Sequence, residues 1–393
     1  MSHEATAART AGKRDLDRAL IDAYERTWRV LADFAPGQWR VPYHEGINPP
    51  LWEYGHVAWF TERWALREAR WTDDDRLVTV SNSMLPGADR WFDSSLVAHV
   101  DRWTLDIPSL DEIRDYARAV HEAVHAKLAV SDERDLYPFQ LALFHEDMHG
   151  EALTYMRQTL DYEAPWPFRL PLLPAGEGDV EIEGSVLAQG SPRGEGFVFD
   201  NEKWAHDVAL KAYRISRYCV RNAAYEEFVD AGGYREPRFW SDEGLAWLRE
   251  ARVDHPRRWR KGVSGWEQRW FGHYEPLAPD APVCHVNAYE AEAFCRFAGR
   301  RLPSEAEWER AATLGAIAWG GSVWEWTADA FVPYPGFSAD RYRDYSQPWF
   351  RTHRSVRGGS LATQARMHHP RYRNFYLPHR DDMFVGFRTC AAR

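Results

Sequence analysis

The most restrictive feature of the sequence is a proline-rich stretch near its centre. Residues 162–178 read YEAPWPFRLPLLPAGEG, and their four prolines fall within ten positions. Proline inside a helix removes a backbone donor and clashes with the preceding turn, so no helix can continue through this stretch. The chain of 393 residues is long enough for two domains. We therefore predict a flexible N-terminus at 1–14, a helical domain at 15–158, a linker at 159–178 and a second domain at 179–393.

Apolar residues before the linker recur at the spacing of amphipathic helices. A first helix is predicted from Leu16, and a second begins at Pro49-Pro50, since proline suits the first helical turn. A third opens at Ser109, which has Glu112 three positions later in the spacing of a capping box. The fourth spans about 136–158. Four such helices favour an up-and-down bundle, whose core commonly holds metal sites.

The sequence after the linker changes character. It has short extended stretches, many glycines and tryptophans, and only two clear helices, at about 222–230 and 287–299. This mixture is typical of an irregular α+β domain that is rich in turns. We therefore predict an α+β protein of two domains.

The pattern HExxH occurs twice, at His121–His125 and at His145–His149. Histidines four residues apart project from one helical face and can present two imidazoles to one ion. The first pair shares its face with Arg114 and Arg118, so we expect both of its histidines to face solvent. The second pair shares its face with leucine, alanine and methionine, so it points into the bundle. Two buried imidazoles on one apolar face favour a metal over ordinary hydrogen bonding.

A third ligand is then needed, and His56 is the best candidate. It lies on the tryptophan-rich second helix, where a polar group would otherwise interrupt an apolar face. Three neutral imidazoles leave positions open for substrate and dioxygen on Fe(II), or for water on zinc. The donor set alone leaves both metals open.

A zinc hydrolase with Glu146 as general base is the obvious rival interpretation. The longer HExxHxxGxxH motif of one protease class fails here, because position 155 is Tyr155. Glu151 lies about 200° around the helix from His149, so we expect it to support the site rather than to bind the metal.

The net charge and the cysteine content limit the binding partners and the kinds of structural cross-link that we expect. The net charge is −10, which disfavours nucleic acids and anionic membranes and leaves a small molecule as the expected partner. The four cysteines form no C-x-x-C pair, so neither a disulfide framework nor a zinc ribbon is expected. No signal peptide and no membrane span is evident, and we expect a cytoplasmic protein.

These motifs together resemble a known family. His56, then His145-x-x-x-His149-x-Glu151 in a helical domain, then a Trp- and Gly-rich domain, resembles the non-heme iron sulfoxide synthases of ergothioneine biosynthesis. Further motifs are similar to those of the formylglycine-generating-enzyme, or C-type-lectin-like, fold: 199–202, 301–309, 323–327, 333–337, 357–360, 373–376 and 386–388. The resemblance implies a DinB-like four-helix bundle followed by a formylglycine-generating-enzyme-like domain.

The resemblance also implies the chemistry. It implies Fe(II) on the three histidines, dioxygen as co-substrate, and oxidative joining of hercynine to a selenium or sulfur donor. Tyr334 would give a proton or an electron. Asn374, Phe375 and Tyr376 would bind hercynine, whose trimethylammonium group suits aromatic faces. The copper-dependent formylglycine activity is not expected, because residues 361–374 contain no cysteine.

One segment departs from the family members that use γ-glutamylcysteine. Those carry two closely spaced arginines after the second helix, whereas here Arg90 is followed by Trp91, Phe92 and Asp93. An aromatic and acidic set suits a neutral polyol better than a polyanionic peptide. The pattern is similar to the selenoneine synthase branch, which joins hercynine to a selenosugar such as selenoglucose. The alternatives are a thiol donor such as γ-glutamylcysteine or cysteine, a zinc hydrolase, and a non-catalytic binding module.

Overall fold

The structure, a computed structural model, describes residues 3–73, 77–176 and 178–392. It forms two compact units. One comprises Ala7–Met156, and the other comprises Arg157–Arg393 together with Met1–Thr6. No helix among the described residues is long and apolar enough to cross a membrane.

The N-terminal unit is a helical bundle with one small hairpin. Its elements are α1 His3–Arg9, α2 Lys13–Leu31, α3 Pro50–Thr61, β1 Ala69–Trp71, β2 Leu77–Thr79, α4 Ala88–Phe92, α5 Leu110–Val130 and α6 Tyr137–Thr159. The four helices predicted from periodicity correspond to α2, α3, α5 and α6.

Local sequence explains where two of these helices begin. Pro50 occupies the first turn of α3, where its missing N–H costs nothing. At α5 the predicted capping box is present, with the Glu112 N–H donating to Ser109 Oγ at 3.4 Å and the Ser109 N–H donating to the Glu112 carboxylate at 2.9 Å. The N-terminal residues, which we expected to be flexible, include α1, in which Ala5 is fully buried.

The C-terminal unit consists of small sheets and short helices. Its helices are α7 Asn222–Asp230, α8 Asp242–Ala251, α9 Ala288–Phe297 and α10 Glu305–Thr313. Its strands are β3 Asp179–Ile182, β4 Ser185–Gln189, β5 His206–Leu210, β6 Tyr213–Ser216, β7 Trp259–Gly262, β8 Gly265–Trp270, β9 His273–Pro276, β10 Arg300–Arg301, β11 Trp324–Ala330, β12 Arg354–Arg357, β13 Asn374–Tyr376, β14 Val385–Gly386 and β15 Cys390–Ala391.

Two four-stranded sheets organise this unit, in the orders β10-β15-β6-β3 and β13-β12-β11-β14. Strands β11 and β14 pair in parallel, and the other neighbours in both sheets pair antiparallel. The expectation of only two clear helices was wrong, because α8 and α10 are also helical. Both are short helices whose first turns are capped by serine, Ser241 and Ser304.

Fully buried ion pairs tie the second of these sheets to its surroundings. Arg388 donates to both carboxylate oxygens of Glu325 on β11, and neither side chain is exposed. Arg388 also donates to the Ala318 carbonyl at 2.6 Å. On the neighbouring strand, Arg357 donates to Glu309 of α10 at 2.6 Å. A buried charge is tolerated only with such partners, so removing one residue of an ion pair leaves the other charge buried without a partner.

We therefore expect Arg388→Met to lower the free energy of unfolding by about 3–5 kcal/mol, because it leaves the Glu325 carboxylate buried without its cation. Urea unfolding followed by tryptophan fluorescence and circular dichroism measures this change. Adding Glu325→Gln should recover part of the loss, since no buried charge then remains. A double variant less stable than Arg388→Met would contradict the account.

Candidate metal centre

One face of α3 is tied to the segment that contains α4. Trp52 donates from its indole nitrogen to the Trp91 carbonyl at 2.7 Å, and Trp59 donates to Asp89 at 2.7 Å. Between them, His56 Nδ1 lies 2.7 Å from the Phe92 carbonyl oxygen. Positions 52, 56 and 59 follow the helical repeat, so three successive turns of α3 contact the same segment.

These contacts fix the tautomer and the orientation of His56. A carbonyl oxygen only accepts hydrogen bonds, so Nδ1 carries the proton and Nε2 keeps its lone pair. The ring is stacked on Trp52, with centroids 5.0 Å apart and an interplanar angle of 8°. Burial, reinforced by the nearby His149, holds the pKa of His56 well below its usual range. The imidazole is therefore neutral, as a metal ligand must be.

A glycine makes this arrangement sterically feasible. Gly55 precedes His56 on α3, and the ring of Phe92 fills the space that a side chain would need. A Cβ at position 55 would lie 2.4 Å from the Phe92 ring. Any larger residue would thus displace the segment whose carbonyl orients His56.

The other two histidines of the cluster lie on α6. His149 Nδ1 donates to the Glu53 carboxylate at 2.7 Å, and Glu53 is almost completely buried. A carboxylate on the second ring nitrogen is a common way to orient a metal-binding imidazole. His145 lies flat on Phe60, with centroids 3.4 Å apart, and burial holds the pKa of His145 well below its usual range.

The three imidazoles converge in the core of the bundle. One ring nitrogen from each of His56, His145 and His149 lies within 4.8 Å of the others. Among the described residues they form the one group of histidine, cysteine and carboxylate side chains that is close enough to hold an ion. Imidazole nitrogens suit borderline transition metals such as Fe(II) and Zn²⁺, so this donor set fits either ion. The predicted ligand set is thus brought together, and its role in binding metal stays a prediction.

The two histidines of the first HExxH pattern, His121 and His125, lie on α5. Only one of them faces solvent as expected. His125 is exposed and lies 2.6 Å from Asp17. His121 is mostly buried, which corrects that expectation. Its ring packs against Tyr24 of α2, with centroids 4.1 Å apart, and its Nε2 lies 3.4 Å from Glu146 of α6. Residues of two neighbouring helices therefore cover His121. The spacing of residues on its own helix does not predict this burial.

The same contact bears on the hydrolase interpretation. Glu146 is buried beside His121, and it is not among the side chains that converge with His145 and His149. A general base for hydrolysis must reach a metal-bound water. Glu146 contacts His121 instead, which disfavours the hydrolase interpretation. Glu151 is also buried on α6 and outside the three-histidine group, and its supporting role stays a prediction.

Residues 90–93, predicted to contact the donor substrate, lie beside the metal centre but differ in their surroundings. Phe92 is fully buried against Gly55, and Asp93 accepts from the Ser95 N–H at 3.0 Å and from its hydroxyl at 2.5 Å. Arg90 is exposed, and its guanidinium lies 5.0 Å from the Trp91 ring centroid. Arg90 and Trp91 therefore keep accessible surface, whereas Phe92 and Asp93 have structural contacts.

The remaining predicted residues lie in the C-terminal unit. Tyr334 is buried, its hydroxyl oxygen accepts from Gln189 Nε2 at 3.0 Å, and the guanidinium of Arg373 lies 4.1 Å from its ring centroid. Burial raises the pKa of Tyr334 above its usual value. The phenol is therefore protonated at neutral pH.

The three predicted hercynine contacts form β13. The Asn374 amide donates to the Tyr376 hydroxyl at 3.0 Å, and its oxygen accepts from the Phe375 N–H at 2.8 Å. Phe375 stacks on Phe331, with centroids 4.1 Å apart. Asn374 and Phe375 are half-buried, so each retains some accessible surface.

Two family models match the chain, and together they cover both units. The DinB superfamily model matches residues 19–155. The sulfatase-modifying factor enzyme 1-like domain matches residues 173–319 and 313–393. With the helical bundle and the small sheets described above, these matches confirm the predicted α+β class and its two domain types.

Two relatives named hercynine oxygenase match nearly the whole chain, and a formylglycine-generating enzyme matches 37% of it. The hercynine oxygenase of Mycolicibacterium thermoresistibile is 33% identical, over 96% of this chain and 94% of its own. The hercynine oxygenase of Mycobacterium tuberculosis is 31% identical, over 94% of this chain and 96% of its own. The formylglycine-generating enzyme of Streptomyces coelicolor is 34% identical, over 37% of this chain and 51% of its own.

The Glu53 carboxylate, which is hydrogen-bonded to His149, allows a direct test of the candidate metal centre. We expect Glu53→Gln to weaken Fe(II) binding by about 10- to 100-fold, because an amide neither holds the imidazole as firmly nor increases its basicity. Anaerobic titration against a chromogenic chelator measures the affinity.

Glu146→Gln is the matched control, since Glu146 is equally buried in the same bundle but contacts His121. It should bind Fe(II) as the unchanged chain does. Weaker binding in Glu146→Gln than in Glu53→Gln would contradict this assignment of the ligand environment.

Proposed function

This chain belongs to the hercynine oxygenase family and is an oxidoreductase, and we propose that it uses Fe(II) and dioxygen to join hercynine to a selenium or sulfur donor. The convergence of three imidazoles, two of them buried and the third mostly so, in a chain of this family supports the proposal most directly. His56, His145 and His149 would hold the iron. Fe(II), when bound, supplies the one-electron chemistry that allows dioxygen to react with closed-shell organic substrates.

The surrounding residues prepare the site for that ion. Glu53 and the Phe92 carbonyl keep the Nδ1 atoms of His149 and His56 protonated, so the other ring nitrogens remain available. The rings of Trp52 and Phe60 pack against His56 and His145 and keep bulk water from the imidazoles. Three protein ligands leave coordination positions for small molecules.

For hercynine we propose the half-buried surface of β13. A trimethylammonium group is attracted to aromatic faces, and β13 carries Phe375 on one face and Tyr376 on the other, because successive side chains of a strand point to opposite faces. The Asn374 side chain lies on the face of Tyr376, and both of its polar ends are engaged with neighbouring residues. Binding by Asn374 would therefore exchange one of these local hydrogen bonds for one to the substrate.

Tyr334 is the proposed proton donor. Its raised pKa keeps the phenol protonated. The hydrogen bond from Gln189 uses the oxygen of Tyr334 as an acceptor, so it does not consume the phenolic hydrogen. The buried Arg373 beside the ring would stabilise negative charge left after proton transfer.

We propose a selenosugar, such as selenoglucose, as the donor. Residues 90–93 offer one arginine, Arg90, and the next cationic side chain, Arg102, is turned toward Asn48 and the ring of Trp52. Without two guanidinium groups side by side, this segment lacks the paired forks that bind a donor with two carboxylates. A neutral sugar needs no such charge.

A thiol donor is the second candidate. It is supported by the relatives named hercynine oxygenase, which are 31–33% identical to this chain along nearly its whole length. In that case hercynine would be coupled to sulfur through the same three-histidine centre. The two candidates differ only in the molecule that occupies the donor side.

A competition experiment separates these donors. Fe(II)-loaded protein is incubated aerobically with hercynine and equal concentrations of selenoglucose, thioglucose and γ-glutamylcysteine, and the products are identified by mass spectrometry. We expect the selenium adduct to dominate, with no product under argon or in His145→Ala.

The other outcomes are distinct. A dominant γ-glutamylcysteine adduct would contradict the selenosugar proposal and leave hercynine oxygenation intact. Failure to form any adduct, with iron bound to the protein, would contradict both proposals.

A further inference from the structure

A cavity of 640 Å³ lies in the C-terminal unit, and no residue of the proposed function lines it. Its walls come from β3, β6, the segment 217–221, the end of α9 and the first residue of β10. Pockets that bind small molecules commonly have volumes of roughly 300–1,000 Å³. The cavity is therefore large enough for a ligand of its own.

The charges around this cavity oppose the charge of the whole chain. The chain carries a net charge of −10, yet the described residues that line the cavity include four arginines and two acidic residues. The arginines are Arg214, Arg217, Arg221 and Arg300, and the acidic residues are Asp179 and Glu181. A local excess of guanidinium groups attracts oxyanions.

Two of the four arginines form hydrogen bonds with residues around the cavity. Arg300 donates to both oxygens of Asp179, at 2.6 and 3.2 Å, and to the Thr389 hydroxyl at 2.6 Å. Arg221 is buried and donates to the carbonyls of Leu173 and Asp280. These bonds hold the cavity in shape and leave few donors of either arginine for a ligand.

The other two arginines keep their donors available. Arg214 is 63% exposed and reaches Asp179 only at 3.9 Å. Arg217 is exposed, and its guanidinium has neither an ion pair nor a hydrogen bond with any residue that the structure describes. A guanidinium fork matches the geometry of carboxylate and phosphate oxygens.

Part of the cavity lining is apolar. It consists of Cys219, Val220, Ala224, Phe294 and Ala298. Cys219 and Phe294 are buried, and burial raises the pKa of the Cys219 thiol, so this thiol is neutral. Such a lining accepts a short hydrocarbon or aromatic group and rejects a second charge.

We propose that this cavity binds a small molecule that combines one carboxylate or phosphate group with a compact apolar body. Arg217 contacts the oxyanion, with Arg214 beside it, and the apolar body rests against Phe294 and its neighbours. None of the residues proposed to bind iron, hercynine or the donor lines this site, so the proposal goes beyond the oxygenase function.

Isothermal titration calorimetry on the full chain tests this site without iron or hercynine. The probes are phenylacetate, phenyl phosphate and inorganic phosphate, with benzyltrimethylammonium as a cationic control and ionic strength held constant. We expect phenylacetate or phenyl phosphate to bind more tightly than inorganic phosphate, and the tighter of the two identifies the anionic group. The cation should not bind.

Arg217→Ala should weaken binding of the preferred probe at least tenfold, because a charge-assisted hydrogen bond is lost. Arg238→Ala is the matched control, since Arg238 is 75% exposed and does not line the cavity. Equal binding by both variants, or no anion binding by the unchanged chain, would overturn the proposal. Because no iron is present, either result leaves the proposed oxygenase function untouched.

Discussion

The hydrogen bond between His56 Nδ1 and the Phe92 carbonyl is the constraint on which the proposed metal centre depends. It is one of three contacts by which α3 holds the segment of α4, and the ring of Phe92 fits there only because residue 55 is glycine. The same helix contributes Glu53, which orients His149. One helix thus supplies one proposed ligand and the carboxylate partner of another, so the orientation of both imidazoles follows from its packing.

The features that sequence predicted well are those encoded within a single element. The capping box of Ser109 and the proline at the start of α3 depend on neighbours three or fewer residues away. The inward direction of His145 and His149 follows from the apolar residues on their own helix, and His56 stood out as the polar interruption of an apolar helix. These patterns require no knowledge of what the helix packs against.

The features that sequence missed depend on contacts between elements. His121 is covered by Tyr24 and Glu146, which belong to two other helices, so its helical period indicated solvent incorrectly. The carboxylate of Glu53 is tolerated in the core because His149 pairs with it across 96 positions of sequence. Helix α10 was also not predicted, although its signal is local. Ser304 and Glu307 have the spacing of a capping box, so the sequence did contain evidence for this helix.

The most direct test of the central claim is X-ray absorption at the iron edge of the Fe(II)-loaded protein under argon. The account predicts multiple scattering from three imidazoles, contributed by His56, His145 and His149. A spectrum that requires only two imidazoles, or one that requires a carboxylate such as that of Glu146 in place of a histidine, would contradict it.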